Sequence, residues 1–129
     1  MKVRDIMSHH PACCSPLTNL KEAARLMLET NCRAVVVVEN ILDLRPVGII
    51  TDHDIVCRCL ALGLDPLEAK AVEFMTRPCI TVNAETGLDD CYRILIQNSI
   101  RQMPVVDEQR SCCGMVTHAD FALYQSLPL

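Results

Sequence analysis

Two short segments of the chain carry the same polar residues at the same spacing. Residues 48–55 read GIITDHDI and residues 114–121 read GMVTHADF, each with a threonine followed three residues later by an aspartate. A helix that begins at such a pair offers free N–H donors and partial positive charge, which suit a phosphate. The threonine hydroxyl can add a donor to that phosphate. An ionised aspartate can accept hydrogen bonds from both hydroxyls of a ribose, so the pair could bind a nucleotide.

The same spacing also has a purely structural interpretation. A threonine followed three residues later by an acid is typical of a capping box, which satisfies backbone N–H groups at a helix start and contributes about 1 kcal/mol. Thr86 and Asp89 repeat the spacing without a preceding glycine, and for them we expect only a capping role. The glycine at position 48 leaves space for a close approach to the backbone, which favours a ligand near Thr51 and Asp54.

The two segments belong to a tandem duplication of the whole chain. A shift of 68 residues aligns Arg33 with Arg101, and after a two-residue gap a shift of 66 aligns Thr51 with Thr117. We predict two domains, residues 1–64 and 65–129. Each has only about sixty residues and would be marginally stable alone. We therefore expect the two copies to pack face to face about a pseudo-twofold axis.

Local patterns predict the order strand, helix, strand, strand, helix in each copy. Thr18 and Thr86 are expected to cap the first helices, whose apolar residues follow helical spacing. The runs AVVVV at 34–38 and MPVV at 103–106 are typical of buried strands. A second strand then leads to the threonine of each motif.

The end of the first copy shows helix start and stop signals. A helix is expected to begin at Asp52 or His53 and to end near Gly63, which suits a C-terminal cap. A short linker helix is predicted over 66–73, with Pro66 in its first turn.

Composition narrows the classes of partner. The 129 residues carry a net charge of −4 and only 3% aromatic residues, so there is neither a basic stripe nor a set of stacking rings for nucleic acid. The longest apolar run is too short to span a membrane. Asp5 interrupts the segment where a signal peptide needs an apolar stretch. We expect no nucleic-acid and no membrane partner.

Nine cysteines are many for this length. The count is odd and the chain is rich in aliphatic residues, which favours a reducing cytoplasm in which most cysteines act as small hydrophobic residues. His9, His10, Cys13 and Cys14 have the residue types of a zinc site, but their spacing matches no standard finger. Adjacent cysteines on a strand point to opposite faces, so one should be buried. A metal- or thiol-based sensor remains an alternative function.

Catalysis is not indicated by any group of residues. The histidines have no paired nucleophile, the acids face no second acid at a defined spacing, and no glycine-rich loop could hold a phosphate. We therefore predict that the protein is not an enzyme.

With the strands and helices around them, the two motifs resemble the two copies of a CBS-domain pair. The openings RDIMS at 4–8 and VEFMT at 72–76, and the segment RQMPVVD at 101–107, match the same pattern. The resemblance covers Val3 to about Tyr124 and is greatest to the short stand-alone CBS-pair proteins of bacteria and archaea. It implies an α/β (α+β) fold of two β-α-β-β-α units packed sheet to sheet. Between the units lie clefts in which the family binds AMP, ATP, S-adenosylmethionine or NADH.

The resemblance also implies which residues hold the ligand. The motif aspartate that binds the ribose in the family corresponds to Asp54 and Asp120. The motif hydroxyl residue that approaches the phosphate or sugar corresponds to Thr51 and Thr117. Between the threonine and the aspartate, the first copy has Asp52 and His53 and the second has His118 and Ala119. The two clefts are therefore not equivalent, and we expect at most one of them to bind tightly.

Further contacts implied by the resemblance involve the start of each buried strand. The basic position that often meets phosphate in the family is occupied by Arg33 and Arg101. Weaker candidates for the adenine wall are the next residues of each strand: Ala34, Val35, Gln102 and Met103. His53 stands where many relatives have arginine, so phosphate affinity there is expected to be weaker or pH-sensitive.

These observations lead to one functional expectation and two alternatives. The chain is expected to be a regulatory module that binds an adenosine-containing ligand, requires no cofactor, forms a homodimer and acts on an unidentified protein partner. The alternatives are the metal- or thiol-based sensor on the same fold and a structural dimerisation module with empty clefts.

Overall fold

The computed structural model describes residues 1–125 and shows a mixed α/β chain with two sheets. The chain divides into two compact units, Ala12–Cys79 and the segment Met1–Pro11 together with the chain from Ile80 onward. The opening segment of the chain thus belongs to the unit that contains the second copy of the motif. The boundaries 1–64 and 65–129 describe the repeats along the sequence and stay a prediction. Within residues 1–125, no helix has the length and apolar character needed to cross a membrane.

Seven strands and four α-helices make up the described chain. The strands are β1 (Ser8–His9), β2 (Cys13–Cys14), β3 (Ala34–Val38), β4 (Pro46–Thr51), β5 (Val82–Asn83), β6 (Gln102–Val106) and β7 (Cys112–Thr117). The helices are α1 (Leu20–Thr30), α2 (Ala71–Phe74), α3 (Leu88–Gln97) and α4 (His118–Gln125). A π-helix (Asp54–Cys59) and two 3₁₀ turns (Val3–Asp5 and Leu60–Leu62) complete the described elements.

The unit Ala12–Cys79 contains a three-stranded sheet in the order β2-β3-β4. Strand β3 lies in the centre, parallel to β2 and antiparallel to β4, and all five of its residues are buried. A run of β-branched residues suits this position because both faces of the strand are covered. Val35 and Val37 of β3 pack in one apolar core with Leu20, Ala23 and Met27 of α1.

The second unit contains a four-stranded sheet in the order β1-β7-β6-β5. Strand β6 lies antiparallel to β7 and parallel to β5, and β1 pairs antiparallel with the free side of β7. Ser8 of β1 is paired with Met115, and its repeat equivalent Thr76 is paired with Ile49 of β4. Strand β4 of the first copy therefore pairs with the opening segment of the second copy, and β7 of the second copy pairs with the opening segment of the first.

The first helix of each copy starts one residue later than Thr18 and Thr86 predict. Asn19 is the N-cap of α1, and its side chain accepts the N–H of Glu22 at 2.8 Å. Thr18 instead accepts the N–H of Ser15 at 3.1 Å in the preceding turn. Asparagine is at least as good a cap as threonine, and here it stands immediately before the apolar stripe of the helix.

The predicted capping role of Thr86 and Asp89 is wrong. The N-cap of α3 is Gly87, which has no side chain to offer, and no side-chain cap is formed. The Thr86 backbone is held elsewhere, because its N–H donates to the carbonyl of Asn83 and its carbonyl accepts the N–H of Val3. The spacing alone therefore does not produce a capping box.

The linker helix predicted over 66–73 is also wrong in extent. Asp65 organises a turn instead: its carbonyl accepts the N–H groups of Glu68 and Ala69, and its side chain accepts the N–H of Leu67. Only the single turn of α2 is helical. Pro66 suits the first turn of a helix, but the hydrogen bonds to Asp65 close a single turn and the chain does not continue from it as a helix.

The last helix of the first copy ends where the sequence predicts. Gly63 has a φ of 75°, a left-handed conformation that glycine adopts without a steric penalty. The preceding helix is not regular, since six of its residues form the π-helix and the last three a 3₁₀ turn. In the second copy the equivalent helix α4 is α-helical.

Candidate functional site

The first motif lies where β4 ends and the next helix begins. The N–H of Thr51 donates to Asp54 Oδ2 at 2.9 Å, and the N–H of Asp54 donates to Thr51 Oγ1 at 3.2 Å. The two side chains therefore form a reciprocal capping box at the junction. Asp54 is only 6% exposed and is the one polar residue among the buried residues of the described chain.

The second motif has the same geometry between β7 and α4. The N–H of Thr117 donates to Asp120 Oδ2 at 2.8 Å, and the N–H of Asp120 donates to Thr117 Oγ1 at 3.3 Å. Asp120 is half-buried and thus more accessible than Asp54. The capping interpretation of the spacing is therefore confirmed at both motifs.

The arginines that precede the buried strands hold these junctions through their backbones. The N–H of Asp52 donates to the Arg33 carbonyl at 2.9 Å, and the N–H of His118 donates to the Arg101 carbonyl at 2.8 Å. Both arginine side chains are exposed. Each copy therefore places one exposed guanidinium on the residue that anchors the start of its helix.

The glycine of each motif makes room for a methionine. A Cβ at Gly48 would lie 2.5 Å from Met75 Sδ, and a Cβ at Gly114 would lie 2.5 Å from Met7 Sδ. Real side chains do not approach so closely, so the glycine allows the methionine of an opening segment to pack on the strand. The glycine is explained by this contact and gives no support to a ligand, contrary to the argument from sequence.

The two motifs differ at the second carboxylate oxygen. Arg58 Nη1 lies 3.5 Å from Asp54 Oδ1 and donates to the carbonyl of Phe74 at 2.8 Å. Arg58 thereby links the first motif to the end of α2. The sequence has Tyr124 at the position equivalent to Arg58, so no guanidinium stands four residues after Asp120. Sequence reasoning missed Arg58, although its position four residues after Asp54 on a helix was a usable signal.

At the second motif, Tyr92 of α3 contacts two residues at the start of α4. Tyr92 of α3 lies 3.4 Å from His118 Nε2 through its hydroxyl, and its ring packs edge-on against Phe121 with centroids 5.2 Å apart. His118 is exposed and Phe121 is buried. The start of α4 is thus fixed by α3, and the contact of Tyr92 with His118 was not predicted.

The candidates for an adenine wall lie at the start of the central strands. Val35 and Met103 are fully buried within the apolar cores of their units. Ala34 is 2% exposed and Gln102 is half-buried. Any contact of Val35 or Met103 with a ligand would therefore involve the backbone, and the roles of all four residues stay predictions.

The cysteine and histidine cluster near the N-terminus is only partly accessible. His9 and His10 are exposed, Cys13 is half-buried and Cys14 is buried, as the alternation along a strand predicts. Burial raises the pKa of the Cys14 thiol to about 11, which disfavours the thiolate that a metal needs. Across residues 1–125 no three His, Cys, Asp or Glu side chains converge as metal ligands.

The remaining cysteines follow the expected pattern. All nine lie among the described residues, and no disulfide joins any of them. Cys59 is fully buried and Cys57 is exposed. Burial raises the pKa of both Cys79 and Cys91 to about 11. These buried thiols act as small apolar side chains.

Comparison with models of known protein families identifies the family of this chain. Residues 3–60 and 70–126 each match the CBS domain. The chain belongs to the CBS-domain family. The two matched stretches are the two copies inferred from the internal repeat, so the resemblance drawn from the motifs is confirmed.

Similar CBS proteins occur in bacteria and archaea. The CBS domain-containing protein YhcV of Bacillus subtilis is 35% identical over 124 residues, which cover 95% of this chain and 84% of YhcV. Hypoxic response protein 1 of Mycobacterium tuberculosis is 34% identical over 119 residues, which cover 92% and 81%. An uncharacterised protein of Methanopyrus kandleri is 34% identical over 106 residues, which cover 82% of this chain and only 53% of that protein.

Solved CBS structures share the fold. Hypoxic response protein I with two coordinated zinc ions superposes with a TM-score of 0.84 at 33% identity, covering 99% of this chain and 100% of that one. The CBS pair of protein MJ0100 with 5′-methylthioadenosine and S-adenosylmethionine gives 0.86 at 28% identity, covering 98% and 100%. A hexameric CBS-CP12 protein from bloom-forming cyanobacteria gives 0.84 at 30% identity, covering 98% and 72%.

Proposed function

We propose that this CBS pair is a non-catalytic regulatory module that binds an adenosine-containing small molecule at its Thr–Asp junctions. Membership of the family supports the regulatory role. The complex of the MJ0100 pair with two adenosyl compounds supports the class of ligand. The protein that the module regulates and the predicted cytoplasmic location stay open to experiment.

The capping boxes are compatible with a bound ligand. Each motif threonine accepts an N–H through its oxygen and keeps its own hydroxyl hydrogen to donate. Each motif aspartate uses one oxygen for the cap, and a carboxylate has about four acceptor positions in all. The cap therefore fixes the direction of the carboxylate and leaves acceptors for the two hydroxyls of a ribose.

The observation that carries the proposal is the state of Asp120. Its Oδ2 is held at 2.8 Å by the Thr117 N–H, the side chains of residues 1–122 provide no cation for its Oδ1, and the residue is half-buried. Asp54 is more deeply buried and its Oδ1 lies 3.5 Å from Arg58. A diol can reach Asp120 without displacing a protein cation, so we assign the tighter site to the second copy.

Calorimetric titration with AMP, ATP, S-adenosylmethionine and NADH tests this assignment. Wild type should bind at least one of them. Asp120→Ala should weaken that binding at least tenfold, because hydrogen bonds to a charged acceptor contribute about 1.5–3 kcal/mol. Asp54→Ala should weaken it less. A thermal-shift screen is a faster first step, since a ligand at a hundred times its dissociation constant adds about 2.7 kcal/mol of stability.

Asp89→Ala is the matched control. Asp89 has the same spacing from Thr86 but forms no cap, and it is exposed. Its replacement should leave both binding and fold unchanged. If wild type binds none of the four compounds, or if Asp89→Ala and Asp120→Ala weaken binding equally, the proposal is wrong.

We also infer that the chain self-associates as a homodimer. The hexameric CBS-CP12 protein shows that a related pair assembles into an oligomer. Light scattering at micromolar concentration checks this inference, and a monomeric mass would contradict it.

A further inference from the structure

His53 and Cys57 form an exposed pair on the helix after the first motif. Cys57 Sγ lies 3.7 Å from His53 Nδ1, and both residues are exposed. Cys57 is also the only one of the nine cysteines that is exposed, all nine lying within the described chain. Neither the capping box nor the proposed adenosyl site of the second copy uses this pair.

The separation of the two atoms fits one metal ion. Zinc lies about 2.3 Å from a thiolate and about 2.0–2.1 Å from an imidazole nitrogen, and a tetrahedral angle between those bonds places sulfur and nitrogen about 3.6 Å apart. The pair is thus already spaced for chelation. Thiolate and imidazole together suit zinc or cobalt better than magnesium or calcium.

Two ligands leave a tetrahedral site half complete. Residues 1–125 offer no third acidic, histidine or cysteine side chain close enough to join them. Closed tetrahedral zinc sites have four protein ligands. A twofold axis through the metal would supply the same two ligands from another molecule.

We propose that His53 and Cys57 of two copies of this chain together bind one divalent cation of the zinc type in a tetrahedral S₂N₂ site. The site is incomplete without the second copy. The metal therefore joins two chains through the helix that follows the first motif.

The surroundings of the pair suit contact with another molecule. Val56 and Leu60 lie close to the pair along the chain, one immediately before Cys57 and one three residues after it. Val56 is 55% exposed and Leu60 is 52% exposed. Closing the site would bury these two apolar side chains against their symmetry equivalents, which favours association.

The second copy of the motif lacks this pair. Ala119 and Leu123 occupy the positions equivalent to His53 and Cys57. The expected ratio is therefore one metal ion for two chains.

Cobalt titration of the reduced protein, purified without a histidine tag, tests the proposal. Co²⁺ should give the visible bands of tetrahedral coordination and a thiolate-to-cobalt absorption, saturating at one ion for two chains. Zn²⁺ should displace it and abolish both signals. Metal should strengthen the association of the chains measured by sedimentation, and Cys57→Ser and His53→Ala should neither bind the metal nor show this increase.

Cys13→Ser is the matched control because it removes a thiol from the other histidine and cysteine cluster. It should leave the cobalt spectrum and its stoichiometry unchanged. A thiolate band that survives in Cys57→Ser and is lost in Cys13→Ser overturns the proposal. So does saturation at one ion per chain, or the absence of any thiolate band. The circular dichroism spectrum of each variant verifies folding, and since both target residues are exposed the substitutions should not disturb it.

Discussion

The two Thr–Asp junctions share the same hydrogen bonds between backbone and side chain, but they differ in the burial of the aspartate and in the residues near it. Both form reciprocal caps, with donor to carboxylate distances of 2.9 and 2.8 Å. Asp54 is buried and faces Arg58, whereas Asp120 is half-buried and the residues near it on α4, His118 and Phe121, contact Tyr92. The duplication has kept what the helix start requires and has changed what a ligand would meet. A difference in binding between the copies should therefore arise from the surroundings of the cap.

The methionine contacts show the same division. Met75 packs on Gly48 in one unit and Met7 packs on Gly114 in the other. At Gly114 a Cβ would also lie 2.8 Å from the backbone carbonyl oxygen of Ser8, a contact that Gly48 lacks. At the second junction the glycine therefore has a backbone atom as well as a methionine against it, whereas the aspartate is more exposed to solvent than at the first junction.

High pH should have the largest effect, because several buried thiols respond together. Burial raises the pKa of Cys14 and Cys79 in one unit, and of Cys91 in the other, from 9.0 to about 11. The folded state favours the neutral thiol, so this stability is complete below pH 9 and is lost as the pH rises through about 11. Burial also raises the pKa of Cys113 in the second unit, so each unit holds two thiols of this kind and both should lose stability.

Thermal unfolding between pH 8 and pH 11.5 measures this effect. Cys14→Ala and Cys91→Ala should each flatten the decline of the melting temperature relative to wild type, and Cys57→Ala should not. A decline that is as steep in Cys14→Ala as in wild type would contradict the assignment.

Substitution of the motif glycines should come next in size. Gly114→Ala places a Cβ against Met7 and against the Ser8 carbonyl, and overpacking of this kind costs about 1–3 kcal/mol. At Gly48 the three atoms nearest to a new Cβ all belong to the side chain of Met75, which can move more easily, so the cost of Gly48→Ala should be smaller. Urea denaturation measures both. Equal losses would show that the backbone contact at Ser8 is unimportant.

Removal of the caps should have an effect of about 1 kcal/mol and should differ between the copies. Asp120→Ala loses one cap, which contributes about 1 kcal/mol, whereas Asp54→Ala also loses the contact with Arg58 and should cost up to about 2 kcal/mol. Asp89→Ala, which breaks no cap, should stay within about 0.5 kcal/mol of wild type. The free energy of unfolding of the three variants ranks them. A larger loss for Asp120→Ala would reverse the comparison.

The smallest expected effect concerns Glu85. It forms ion pairs with Lys2 and Arg4, each at 2.7 Å, on the surface of the second unit. The hydrogen bond from Lys2 lowers the pKa of Glu85, so the contribution is present at neutral pH and lost as the pH falls. The equivalent residue of the first copy is Leu17, which can form neither pair.

Glu85→Gln should therefore cause a slight loss of stability at low salt that disappears at 1 M salt, because exposed ion pairs are screened. Melting temperatures at the two salt concentrations provide the measurement. A loss that persists at high salt would mean that Glu85 acts through packing.

The sequence predicted the parts of the fold that depend on local patterns. The buried strands β3 and β6 follow from their apolar runs, the end of the helix near Gly63 follows from glycine's freedom at positive φ, and the reciprocal caps follow from the Thr–Asp spacing. Each of these signals lies within a few residues of the structure that it produces. The capping boxes were recognised as a structural alternative to ligand binding, and both are present.

Predictions failed where two local signals competed. Thr18 and Asn19 are both good caps; Asn19 caps α1, while Thr18 accepts the N–H of Ser15 in the preceding turn. Thr86 and Asp89 have the right spacing, yet Val3 binds the Thr86 carbonyl and Gly87 becomes the cap. A backbone group that is already paired with a distant segment cannot take the conformation that the local motif favours.

By itself, then, the sequence determined the duplication, the order of the elements, the family and the residues of each junction, because repeats, periodicity and caps are local properties. Only the tertiary structure showed that the opening segment Met1–Pro11 belongs to the unit of the second copy, that a methionine explains each motif glycine, and that Arg58 links Asp54 to the carbonyl of Phe74. These contacts join residues far apart in the chain. Their formation depends on how the cores pack, which no short pattern of residues specifies.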